Sequence, residues 1–353
     1  MLSAAGTKGD DTLRVGIIGC GSIARTRHAW EFSIDSRVEI AGFFDNHPER
    51  ARSLADTYGG MVYPTVSAML DDPSIDAVSV CTANSGHAPI AIEAMEKGKH
   101  VLCEKPMACT ENECRDMLSV SKRTGKRLLI AQNERLQPGH VKVKEMLDEG
   151  KLGRILTFCA MNCHSGPEMW SSAKSCNTWF FRRDRAQFGS MADLGIHKID
   201  LIRYLVGDEI ESVYSKMCVM DKKFEDGSPI EVDDNSVEVL TFRNGVFGTV
   251  TTSWTCYGNW FDQATLFCEN GIARLYTERG YSLVVTYRDG SEYRLEKTKE
   301  EEKNSGVISE FDTAVLTGRS SILDAERVAG SMAAVFASSR SSESGKEEKV
   351  IPL

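Results

Sequence analysis

The first third of the chain is a series of short, nearly unbroken apolar runs separated by stretches with helical spacing. The runs fall at 13–18, 38–44, 61–63, 76–81, 99–103 and 128–131. Apolar character on both faces is what a strand buried between two helical layers requires. The segments 47–58, 66–70, 88–97 and 110–123 carry helix signals. Pro48 sits in a first turn, and Thr110 with Glu113 three residues on forms a capping box. Strands alternating with helices through short loops predict βαβ units in a doubly wound parallel sheet. The pattern changes after Gln132. A helix is expected at 139–149, a strand at 155–162, and a helix at 190–205 stopped by Gly207. Alternating strands follow at 212–220, 236–242, 246–255, 262–268, 272–276 and 282–287, with Asn244-Gly245 and Asp289-Gly290 as turn signals. Helices at 307–316 and 324–338 are expected to close this second domain. The Ser-, Glu- and Lys-rich stretch 338–349 reads as a solvated linker.

The expected class is α/β: an N-terminal doubly wound parallel sheet plus a C-terminal α+β domain with a large, mostly antiparallel, open-faced sheet. The expected division is a mobile tail at 1–12, a first domain at 13–132 and a second at 133–353. An open sheet face needs a cover, so a homo-oligomer (dimer or tetramer) through that sheet is expected.

Bulk properties narrow the choice of partner. A chain of 353 residues, 41% hydrophobic and 26% charged, is of ordinary globular composition. A net charge of −9 argues against nucleic acid and anionic membranes. No apolar run approaches the roughly 20 residues of a membrane span. The eleven cysteines form no C-x-x-C pair, and Cys81, Cys103 and Cys159 sit inside apolar strands as small hydrophobes. A reducing cytoplasm and no metal site are expected.

The chemistry begins at Gly19-Cys-Gly21-Ser-Ile-Ala24, which follows the first strand. Gly19 permits a sharp turn, Gly21 lets a pyrophosphate approach the backbone, and Ala24 allows close helix packing. Asp45 ends the next strand, where a carboxylate accepts hydrogen bonds from an adenine ribose and repels a 2′-phosphate. The expected cofactor is therefore NAD. Ligands of such sheets bind beyond the carboxyl ends of the strands. Loops 82–87 and 104–106 lie there, and Lys105 is placed to hydrogen-bond a substrate oxygen beside the nicotinamide. A second constellation is Asp193, His197 and Asp200, which share one stripe of an otherwise apolar helix. A histidine there can take a proton near neutrality, and a carboxylate one turn away can orient it. Gly195 inside that helix implies a close backbone approach.

These motifs, in this order and spacing, are similar to the glucose–fructose oxidoreductase / inositol dehydrogenase / rhizopine-catabolism (Gfo/Idh/MocA) family. Its most specific marks are Glu104-Lys105-Pro106 and Asp193-Leu-Gly-Ile-His197. The resemblance covers nearly the whole chain. Thr82-Ala-Asn84-Ser-Gly-His87 matches the family's Thr-Pro-Asn-x-x-His loop with Ala83 in place of proline. Gln132 to Pro138 matches its Asn-x-Arg-Phe-x-Pro crossing with Leu136 in place of the aromatic. The resemblance implies a Rossmann domain and NAD held by Gly19, Gly21, Ser22, Ile23, Asp45, Thr82, Asn84, His87, Glu104, Lys105 and Gln132. It implies Lys105, Asp193 and His197 as the catalytic set, with His197 as base. Arg135, His164, Trp179, Arg182, Arg185 and Tyr257 are candidates for contact with a sugar, glycoside or polyol. The implied reaction is oxidation of a secondary hydroxyl, such as C3 of a glycoside. An NAD-dependent glycosidase working by transient oxidation and elimination is the rival within catalysis. A non-catalytic NAD-binding regulator and a small imine or enone reductase are the others.

Overall fold

The computed structural model describes residues 12–299 and 303–353. Apart from Thr12, the expected tail lies outside the described residues. Strands β1 (Leu13–Ile18), β2 (Val38–Phe44), β3 (Met61–Val62), β4 (Ala77–Val80), β5 (His100–Cys103) and β6 (Leu128–Ile130) form a parallel sheet in the order 3-2-1-4-5-6. Side chains alternate across it. Val15 and Ile17 join one apolar cluster and Ile18 joins the other. Helix α1 (Ala29–Ile34), entered through a π-helical turn at Ala24–His28, and α2 (Pro48–Tyr58) cover one face. Helices α3 (Val66–Leu70), α4 (His87–Glu96) and α5 (Glu111–Thr124) cover the other. The capping box of α5 forms as read: Glu113 N donates to Thr110 Oγ1, and Thr110 N donates to Glu113 Oε2. The strand order reverses between β1 and β4, which opens a crevice at their carboxyl ends.

After α6 (Pro138–Asp148) comes β7 (Ile155–Cys163), the central strand of a second sheet. Then follow α7 (Arg183–Ala186), a π-helical turn at Met191–Gly195, and α8 (Ile196–Val206). Strands β8 (Ile210–Cys218), β9 (Asn235–Phe242), β10 (Phe247–Ser253), β11 (Phe261–Cys268), β12 (Gly271–Leu275), β13 (Tyr281–Tyr287) and β14 (Glu292–Glu296) complete it with β15 (Glu348–Lys349). The order is 14-13-12-11-7-10-9-8-15, and only the β7–β10 pair is parallel. Phe158, Ala160, Leu240, Val250 and Leu266 point inward to a core shared with Ile199 and Ile202 of α8. Tyr214, Val237, Val239, Phe247 and Phe267 are exposed on the opposite face.

Three expectations need correction. Residues 338–349 are not a linker. Helix α10 (Ala325–Ser344) runs through them, and β15 then pairs with β8. Their serines are functional to the packing: Ser341 Oγ and Ser342 Oγ accept from Ser215 N and Met217 N of β8, at 2.9 and 2.8 Å. Helix α9 (Val307–Thr317) does not close the second domain. Its Val307, Ile308, Phe311 and Ala314 join the apolar cluster of the first sheet, so sequence order and packing part company here. Cys159 is not interior but exposed on the open face of the second sheet.

Candidate active site

At the end of β1 the chain turns at Gly19, with φ +91°. A Cβ there would lie 2.6 Å from the carbonyl oxygen of Cys81, so only glycine fits. Gly19 N donates to Phe44 O at 2.8 Å, tying the turn to the end of β2. Asp45 follows directly. Its carboxylate accepts from Cys20 N at 2.7 Å and His47 N at 2.8 Å, which fixes it at the lip of the crevice. A Cβ on Gly21 would meet only Ser172 Oγ, 3.7 Å away, so the backbone at the helix start lies open to an anionic ligand. Ser22 Oγ lies 3.0 Å from Ser172 Oγ and 3.3 Å from Trp170 O, so a loop of the second domain rests on the turn. Ile23 is exposed beside it.

The loops after β4 and β5 are stitched together. His87 is buried, with Nδ1 2.8 Å from Pro106 O and Nε2 3.2 Å from Thr82 O. Burial lowers its pKa, so the neutral ring has one proton to donate, and the shorter contact assigns it to Nδ1. Asn84 is buried in this loop. Its Nδ2 donates to Ala186 O of α7 at 3.0 Å and so joins the domains. Glu104 is buried against His28, with Nε2 to Oε1 at 2.8 Å. Burial raises its pKa, but the hydrogen bond and charge of His28, then Lys105, outweigh it and hold the carboxyl below its usual range. Gln132 is fully buried, and its Oε1 and Nε2 meet no partner among the described residues. An unsatisfied buried amide of this kind suits a ligand that carries both a donor and an acceptor.

Lys105 crosses from the first domain to the second. Its Nζ donates to Asp193 Oδ1 at 3.0 Å and to Asp193 O at 2.7 Å. Asp193 Oδ2 accepts from Trp254 Nε1 at 3.1 Å and lies 3.5 Å from His164 Nε2. His164 Nδ1 accepts from Gly166 N at 2.9 Å, so Nε2 bears the ring proton in the neutral form. Burial would push Asp193 up. Lys105, and after it His164, hold the carboxyl well below the usual carboxylate range. His197 is half-buried, with Nδ1 buried and unpartnered among the described residues. Burial and then the Lys105 charge lower its pKa to about 3, so the ring is neutral at physiological pH. Gly195 is explained by close approach, since a Cβ would strike Met191 Sδ at 2.6 Å and touch Thr252 at 3.4 Å.

The three stripe residues do not act as one group. A π-helical turn at Met191–Gly195 precedes α8, and the carboxylate of Asp193 is taken by Lys105, Trp254 and His164. Asp193 therefore orients Lys105, not His197. Asp200 points away, pairing with Arg135 through Nε and Nη2 at 2.7 Å each and accepting from Ser331 Oγ. Arg135 is thereby consumed in a buried ion pair and is not brought to the crevice. His164 braces Asp193. Trp179 stacks on Phe180 at 3.8 Å, and exposed Arg182 lies over Phe224. Tyr257 is exposed and hydrogen-bonds Asp221. Sequence reasoning missed Trp254, Trp260, Lys198 and Asp262. Trp260 packs edge-on to His164. Lys198 is fully buried and pairs with Glu134 Oε2 at 2.9 Å and with Asp262. A lysine in a core helix position gives no local signal of such partners.

A glycine turn for a dinucleotide, an acid at the next strand end and a Lys–Asp pair beside a neutral histidine define a two-domain NAD-binding oxidoreductase. Residues 13–132 match the oxidoreductase family with NAD-binding Rossmann fold, and 140–274 match the GFO/IDH/MocA C-terminal domain. The chain belongs to the Gfo/Idh/MocA family. It is 33% identical to glucose-6-phosphate 3-dehydrogenase of Bacillus subtilis, over 68% of this chain and 67% of the relative. It is 32% identical to levoglucosan dehydrogenase of Pseudarthrobacter phenanthrenivorans, over 54% of this chain and about half (52%) of that protein's length. Levoglucosan dehydrogenase solved with NADH superimposes with a TM-score of 0.84 at 25% identity, covering 97% of this chain and all (100%) of that one. No described helix is long and apolar enough to cross a membrane.

Proposed function

We propose that this protein oxidises a secondary hydroxyl of a sugar, glycoside or polyol to a ketone, with NAD as acceptor. The observation that carries the reading is the Lys105–Asp193 pair beside neutral His197, at the carboxyl end of a dinucleotide sheet. The residues present fit the cofactor. Gly19 and Gly21 would leave the backbone open to the pyrophosphate, Asp45 would meet the adenine ribose, and the orphaned amide of Gln132 would suit a carboxamide. Bound NAD supplies the hydride acceptor. Lys105 donates a hydrogen bond to the reacting oxygen and stabilises its developing negative charge. Asp193 keeps that ammonium aimed. His197 receives the hydroxyl proton at Nε2, which requires the neutral ring to carry its own proton on Nδ1. The relatives include a D-glucoside 3-dehydrogenase of Escherichia coli and inositol 2-dehydrogenases, which supports the substrate class. No observation favours the glycosidase, regulator or reductase readings. All eleven cysteines are free, which suits a cytoplasmic enzyme.

Absorbance at 340 nm with NAD and a panel of hexoses, glycosides and inositols tests the proposal. The expected result is NADH formation with at least one compound and a drop of about 10²–10⁴ in kcat for His197→Ala. NAD consumption by none of them, or an unimpaired H197A enzyme, overturns it.

A further inference from the structure

Strand β11 begins at Phe261, directly after Trp260, and Asp262 is its second residue. Trp260 and Asp262, two apart, share one face. Trp260 is 71% exposed, and its ring lies 5.7 Å from that of His164, which in turn braces Asp193. The Asp262 side chain remains about a third exposed (35%) while gripping Lys198, the fully buried neighbour of His197. Lys198 also holds Glu134 Oε2. One lysine cannot neutralise two carboxylates in a buried site. Glu134, the more buried acid, is pushed up to about 8 by burial and takes a proton, while the lysine charge keeps Asp262 low and ionised. The trio is thus close to neutral and fixed, with its single anionic carboxylate at the cleft. Across the strand pair, Asn162 stands in register with Asp262. It is 4% exposed, and its Oδ1 is buried with no partner among the described residues.

Such an arrangement offers two acceptors, Asp262 and Asn162 Oδ1, and one exposed aromatic face. That is the chemistry that recognises a pyranose: C–H groups on one side for stacking, hydroxyls as donors at the edge. It does not suit a phosphate. The two cations here, Lys105 and Lys198, are already paired, and a phosphate would face an ionised carboxylate.

We propose that Trp260, Asp262 and Asn162 form the substrate-selecting wall of the cleft, and that the substrate is a neutral, unphosphorylated pyranose or pyranoside. This rests on the reading of the cleft as a sugar-oxidising site.

The test compares wild type, Asp262→Asn, Asp262→Glu and Trp260→Ala, each with NAD, on glucose, methyl glucoside, levoglucosan and glucose 6-phosphate. Initial rates and tryptophan-fluorescence titrations are read together, and melting curves confirm that each variant is folded. Neutral sugars are expected to bind more tightly than the phosphate. D262N is expected to raise KM about 10- to 100-fold with kcat held within about threefold, and D262E to recover part of it. W260A, altered at an exposed side chain, is expected to raise KM as well. Preference for the phosphate, or an unchanged KM in D262N and W260A, overturns the wall. If no compound is oxidised, the titrations separate the two readings. Sugar binding weakened by D262N upholds the wall and discards the dehydrogenase, whereas no binding of any neutral sugar overturns the wall.

Discussion

Burial forces each polar side chain in this site to find a partner, and the choice of partner sets its role. Asp193 has its oxygens committed to Lys105, Trp254 and His164, so it cannot also serve His197. Trp254→Phe removes one donor and keeps the shape. A loss of about 1.5–3 kcal/mol in urea unfolding and a several-fold fall in kcat are expected, since a hydrogen bond to a charged group contributes about that much and Asp193 keeps its other partners. The Arg135–Asp200 pair is fully desolvated. Asp200→Ala leaves a buried guanidinium and should cost about 3–5 kcal/mol in urea unfolding. A loss below 1 kcal/mol would contradict this reading. Asp312 on α9 is fully buried beside Asp35. Burial, and then the Asp35 charge, push it up to about 8, against an unfolded value near 4. The folded state therefore holds a proton that the unfolded chain releases. Its stabilising effect is complete below about pH 4 and is lost as pH rises to about 8. Asp312→Asn should flatten that decline. Melting temperatures at pH 5 and pH 9 that shift equally in both proteins would refute it.

Among the elements, helix signals read well where they are local and poorly where a partner decides. The capping box of α5 needs only residues three apart, and it formed as expected. The end of α10 was misread because Ser, Glu and Lys favour solvent by composition. In the fold, Ser341 and Ser342 instead satisfy backbone N–H groups of β8, and β15 extends the sheet beside them. Replacing both serines with alanine leaves two strand donors short of an acceptor. A loss of about 2–4 kcal/mol is expected, at roughly 1–2 per bond, with NAD binding intact. The π-helical turn before α8 had no sequence signature. Tertiary contacts hold it, with Gly195 close to β10 and Asp193 bonded to Lys105.

At the scale of the molecule, the second sheet presents Tyr214, Val237, Val239, Phe247 and Phe267 to solvent on its uncovered face. Alternation along β9 and β10 places these residues in adjoining rows, so they form one apolar surface rather than scattered exposures. We propose that two copies of the chain bury it against each other. Val239→Asp with Phe247→Asp should give a folded monomer in light scattering where the unaltered protein is a dimer or tetramer. A monomeric unaltered protein would remove the proposal. Through Ser172, a loop of the second domain rests on the glycine turn of the first.

The sequence alone determined whatever depends on short-range geometry. Apolar runs fixed the strands, and Gly19 and Asp45 marked the dinucleotide turn, because periodicity and backbone sterics act over a few residues; Lys105, Asp193 and His197 stood out together only through the family resemblance. The tertiary structure decided what depends on which distant groups meet. It turned Arg135 and Asp200 into a structural pair, gave Asp193 to Lys105 and sent α9 to the first sheet. It also brought Trp260 to His164 and Asp262 to Lys198. Those assignments follow from desolvation: a buried charge must be neutralised by whatever the fold places beside it, and only the packed chain says what that is.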